Sequence, residues 1–137
     1  MNQQQKILSW LLRIIGFPSL LAMGAVVMPF SWMESFHEQL GLGTMPNAPI
    51  VEYLARSLSA FYALLGIVFC YVSFQVLQYW NAIRWIALLL ILLGAILGWI
   101  GLKSQMPLWW TFQEALPTIL LGFWMLYLHY QGSKSLN

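Results

Sequence analysis

The run IRWIALLLILLGAILGWIGL, residues 83–102, decides the fold. It carries one charge, Arg84, in its first turn and is otherwise apolar or glycine. A helix of about 20 such residues crosses the hydrocarbon core of a bilayer. A barrel strand would be about half as long and would alternate polar with apolar positions. The run therefore reads as a membrane-spanning helix.

Three further runs share its character, at about 7–28, 53–76 and 109–127. The chain is 61% hydrophobic and only 7% charged, whereas a soluble domain carries about 25% charged residues. So few charges cannot cover a water-facing surface, and the expected class is all-α integral membrane. The connections at 78–82 and 103–108 are short, which favours neighbour-to-neighbour packing. Residues 1–137 thus read as a single membrane domain, an antiparallel four-transmembrane-helix bundle. A net charge of +2 without a basic run sets nucleic-acid binding aside. The lone cysteine, Cys70, rules out an internal disulfide or a CxxC redox pair. Lys6 ahead of an apolar stretch looks like a signal peptide, yet Arg13 interrupts that stretch and no small-x-small cleavage site follows. A retained first helix is expected.

The longest connection, about 29–52, has Trp32, Met33, Phe36 and Leu40 at helical spacing, with Glu34, His37 and Glu38 at other positions. This pattern predicts a short amphipathic helix in the membrane interface. Gly41 and Gly43 should end it, and Pro46 and Pro49 should hold the chain non-helical until the second span.

Lys6, Arg13, Arg84 and Lys134 fall on one side of the predicted membrane, Arg56 and Lys103 on the other. The positive-inside rule then puts both termini on the cytoplasmic side. Glu34, Glu38, Glu52 and Glu114 all fall on the outer side, which marks that face as the chemically interesting one.

At about 100° per residue, Glu52, Arg56, Ser59, Ala63, Gly66 and Cys70 make one stripe on the second helix. Below its two charges the stripe is all small, so it should pack against another helix. Gly94 and Gly98 form a GxxxG seam on the third helix, read as packing within the chain. On the fourth helix Glu114 is expected near the positive end of the helix dipole, with Pro117 in the first turns. In the first helix Pro18 predicts a kink, with Ser19 satisfying the freed carbonyl.

Arg56, Glu52 and Glu114, with Tyr53 and Tyr62, form the candidate ligand-binding cluster. Arg56 should lie roughly 5 Å inside the outer boundary, a depth at which a charge needs a partner or a function. One reading has Arg56 gripping an anionic or carbonyl headgroup while Glu114 orients it. The other is a helix-to-helix salt bridge or a snorkelling arginine. Glu34, His37 and Glu38 fit a solvated helical face better than a metal site. His129, between Tyr127 and Tyr130, fits an interfacial aromatic belt. Trp99 and Trp124 lie deeper and are read as packing, or as lining for a flat lipophile.

The segment IVEYLARSLSAFYALLGIVF, residues 50–69, resembles small bacterial four-helix membrane proteins of the DoxX-like type. The matching features are an arginine that opens the second helix and the small residues after it: Arg56, Ala60, Ala63 and Gly66. The resemblance implies the helix order and makes Arg56 a shared structural position. A link of some relatives to quinone-linked sulfur oxidation implies a quinone-facing role, but this chain lacks a cysteine pair or other redox ligand set. The expected function is a non-catalytic accessory subunit or lipid-binding module, in contact with membrane lipids and with other membrane subunits or a second copy of itself. The competing expectation is a small membrane enzyme or quinone-reactive subunit, with Glu52 or Glu114 handling protons. No cofactor is assigned from the sequence; a lipid or a quinone is the candidate, and no metal is expected.

Overall fold

The computed structural model describes residues 1–134. In chain order its helices are α1 (Gln3–Leu21), α2 (Met23–Val27), α3 (Phe30–Gln39), α4 (Pro49–Phe74), α5 (Trp80–Lys103) and α6 (Leu108–Ser133). No strand occurs among the described residues. Three stretches are long and apolar enough to cross a membrane: Gln3–Val27, Pro49–Phe74 and Trp80–Lys103. Only 17%, 28% and 17% of their apolar windows are buried inside the protein. Most of their apolar side chains therefore face outward, which water does not tolerate over such lengths. α6 matches α4 at 26 residues. Gln113, Glu114, Pro117, His129 and Gln131 interrupt its apolar character.

Contacts divide the chain into two compact units, one of Met1–Leu11 with the chain from Val72 onward, the other of Leu12–Tyr71. In the first unit α5 and α6 run antiparallel along a seam of small residues. A Cβ built on Gly94 would lie 2.9 Å from the Ala115 carbonyl oxygen, and one built on Gly122 would lie 2.7 Å from that of Ala87. At Gly98 the same addition would meet Ala115 Cβ at 3.3 Å. Backbone approach this close is available only where a side chain is absent. Leu8, Ile83, Ala87 and Met125 fill the core of this unit. Asn2 and Gln5 cap α1 reciprocally: Gln5 N donates to Asn2 Oδ1 at 2.9 Å, and Asn2 N donates to Gln5 Oε1 at 2.8 Å. This is a capping box with an amide pair in place of the usual hydroxyl and acid.

In the second unit α1 and α4 approach through Gly16 and Gly66. A Cβ on Gly66 would sit 2.8 Å from the Gly16 carbonyl oxygen, and one on Gly16 would sit 2.7 Å from Cys70 Sγ. Ala63, one turn earlier on α4, is buried, and Ser59 turns its hydroxyl onto the Ala55 carbonyl at 2.8 Å.

Four local expectations need correction. Pro49 does not hold off the second span; it is the first residue of α4, where its missing N–H has no partner to lose and its fixed φ suits a helix start. Pro18 stays inside α1, and the break comes later, at Ala22, between Leu21 and Met23. Ser19 Oγ donates to Ile15 O at 2.7 Å, one carbonyl beyond the one that Pro18 leaves without a donor. Pro117 falls inside α6, in its third turn, past the first turn where a missing N–H has no partner to lose. α3 does form in the first connection, and it is ended by Gly41 (φ 70°) and Gly43 (φ 85°) in the left-handed region.

Candidate functional site

Two constellations carry polar chemistry, one in each unit. The first centres on Arg56. α2 ends at Val27, and the extended backbone of Met28 (φ −63°, ψ 138°) leads into Pro29. The last carbonyls of a helix lack intrahelical donors, and Pro29 supplies none. Arg56 provides them. Its NH1 donates to Val26 O and its NH2 to Met28 O at 3.0 Å. Its Nε and NH2 also reach Glu52 Oε1, at 2.9 Å and 2.7 Å. A guanidinium has five N–H donors, and these four bonds engage all three nitrogens. The positive charge lies against the negative end of the short α2. Glu52 and Arg56 are thus an ion pair at i, i+4, joined to two backbone carbonyls of the same unit.

The other residues of that expected cluster are placed differently. Tyr53 and Tyr62 are exposed. Glu114 is the seventh residue of α6, and no acid occupies the first turn. The helix dipole acts within about one turn of its end, so it does not account for this carboxylate. The Glu114 carbonyl accepts from Thr118 Oγ1 at 2.6 Å. On α3, His37 Nδ1 bonds to Gly43 O at 2.8 Å, tying the helix to the turn that ends it. Among the described residues no group of three His, Cys, Asp or Glu side chains converges to hold a metal. Trp99 and Trp124 are exposed, so neither packs in a core.

The second constellation lies in the first unit, where α5 begins and α6 ends. Trp80, the first residue of α5, lies across the last turns of α6. Its ring stacks on His129 with centroids 4.5 Å apart and an interplanar angle of 18°. Gly132 makes room for it: a Cβ there would fall 2.6 Å from the edge of the indole. The indole Nε1 donates to Ser133 Oγ at 2.9 Å, and Ser133 Oγ donates to His129 O at 2.9 Å. The Trp80 carbonyl faces His129 Nε2 at 3.1 Å. A carbonyl only accepts, so Nε2 carries the proton and Nδ1 of the neutral ring is an acceptor.

His129 is two residues beyond the apolar run 109–127. Burial draws its pKa below the ordinary imidazole value; the bond to the Trp80 carbonyl opposes this, and the nearby Arg84 charge adds to it. Beside this ring is a recess of about 420 Å³, lined by Arg84, Leu126, His129, Tyr130 and Ser133. Arg84 is exposed and has no ion pair with any carboxylate among the described residues. Lys134 stands over the Tyr130 ring, its Nζ 4.5 Å from the centroid. The only acidic side chain among the described residues of this unit, Glu114, precedes His129 by 15 residues on α6, roughly 22 Å along the axis. The recess is therefore cationic with an aromatic and aliphatic wall.

Sequence reading assigned Tyr127, His129 and Tyr130 to an aromatic belt and left Arg84 as a topology marker. The signal that could have joined them is Gly132-Ser133 opposite Trp80, a small pair at the end of one helix facing a large ring at the start of its neighbour. Compared with family models, curated proteins and solved structures, the chain gives no match.

Proposed function

We propose that the protein is a non-catalytic integral membrane component, a small helical module that binds lipid and neighbouring membrane helices within a larger assembly. The observation that carries this reading is the outward-facing apolar surface of three span-length helices, of which at most 28% of any window is buried. Side chains such as Leu89, Leu92, Ile96 and Trp99 on α5 are exposed along its length. Such a surface needs acyl chains or another helix against it. In this reading α6 is a fourth span over about 109–127, α3 lies in the interface, and both termini are cytoplasmic in a bacterial plasma membrane. The DoxX-like resemblance of residues 50–69 agrees with that helix order.

The test is native mass spectrometry of protein extracted gently from its own membrane. Co-purifying chains at a fixed stoichiometry, or a retained lipid, support the module. A bare monomer carrying neither overturns it. Substrate turnover that Glu52→Gln or Glu114→Gln abolishes would replace it with the small-enzyme or quinone-reactive reading.

A further inference from the structure

We infer that the recess beside Trp80 is a binding site for the phosphate headgroup of an anionic membrane lipid. The inference rests on the membrane reading above. Three observations carry it. The cavity of about 420 Å³ is large enough for a glycerophosphate headgroup, within the usual range of small-molecule sites. Its lining combines one guanidinium, Arg84, with a phenol, a hydroxyl and an imidazole, and with the aliphatic Leu126. No carboxylate of the described residues is paired with Arg84.

Arginine presents a planar fork of donors that matches two phosphate oxygens at once. The other wall groups fit the same ligand. The Tyr130 hydroxyl can donate to a phosphate or glycerol oxygen, and Lys134, whose Nζ lies over the Tyr130 ring, brings a second positive charge beside that wall residue. Ser133 and His129 already donate within the helix pair, so they shape the wall and are not the principal donors. Leu126 lies one turn deeper on α6, where a lipid leaves its headgroup and begins its acyl chain. An anion and an apolar tail are thus expected in the same order as the wall residues. Juxtamembrane cations favour anionic lipids by about 1 kcal/mol each near the surface. An arginine with no carboxylate partner among the described residues, set in a recess, adds geometry to that general attraction.

The test uses the full chain in nanodiscs or mild detergent, titrated with phosphatidylglycerol, with zwitterionic phosphatidylcholine and with inorganic phosphate, and read by native mass spectrometry. The wild type should retain one phosphatidylglycerol in preference to phosphatidylcholine. Arg84→Gln should lower that occupancy about tenfold, the loss of one charged hydrogen-bonding partner, whereas Lys103→Gln should leave it unchanged. Arg84→Lys should restore only part. Equal retention by wild type, Arg84→Gln and Lys103→Gln overturns the site, as does retention of inorganic phosphate without lipid preference. Alkaline carbonate extraction of the wild type separates the two claims: release from the membrane defeats the membrane reading itself, while retention with an unchanged Arg84→Gln profile defeats only the recess.

Discussion

The Trp80 ring lies flat on His129, 4.5 Å between centroids, while its Nε1 and its own carbonyl hold Ser133 and the imidazole of the same turn. One residue therefore joins the start of α5 to the end of α6 through its ring, its side-chain donor and its backbone. Trp80→Ala should destabilise the protein by about 3 kcal/mol, in the range for emptying an aromatic site. Trp80→Phe keeps the stacking and loses the bond to Ser133, so it should cost about 1 kcal/mol. Thermal unfolding in one detergent would rank them; equal effects would show that the ring does not matter.

Stability should fall on the acid side because of His129. Its folded pKa is depressed, so as pH drops below about 6.5 the unfolded chain takes up the proton first. The favourable difference is whole above that value and is lost as pH falls toward the folded pKa. His129→Gln should flatten the dependence of the melting temperature on pH between about 7.5 and 5. An unchanged slope would place the titrating group elsewhere.

Arg56→Ala should be more damaging than Glu52→Gln. The first leaves the Val26 and Met28 carbonyls without their donor, at about 2 kcal/mol or more. The second removes a half-exposed i, i+4 pair, worth about 0.5 kcal/mol. Limited proteolysis should find the segment around Met28 more cleavable in Arg56→Ala only. Equal stability of the two variants would contradict the capping role.

Two glycine substitutions should separate close packing from open space. Gly66→Ala puts a Cβ 2.8 Å from a backbone oxygen, whereas Gly24→Ala meets nothing within 4 Å. The first should destabilise by about 1–3 kcal/mol. The second, in α2, should be neutral or slightly stabilising. Melting temperatures that shift equally would overturn the α1–α4 contact.

The helical, membrane-type architecture was legible because runs such as 83–102 admit one physical solution in lipid. The Glu52–Arg56 spacing likewise announced an ion pair. What the pair does was hidden, because the break after Leu21 has no glycine or proline at Ala22 to mark it, and the carbonyls at Val26 and Met28 lie about 30 positions before Arg56. The dipole account of Glu114 overstated the reach of the helix end: counted from Trp109 or from Leu108, the carboxylate stands beyond the first turn, where the dipole acts. The recess was invisible for a related reason. Trp80 and Arg84 stand at the start of α5 while His129, 49 residues beyond Trp80, is on α6; each has an ordinary interfacial explanation alone, and only the antiparallel register of the two helices brings the pair to the imidazole.

The central claim is that α6 completes a fourth span. Single cysteines at Asn47, Gln105 and Ser133, in a Cys70→Ala background, can be labelled in intact cells with a membrane-impermeant maleimide. Four spans predict labelling of Asn47 and Gln105 from outside, with Ser133 protected until the cells are permeabilised. Labelling of Ser133 together with Gln105 in intact cells would contradict a fourth span.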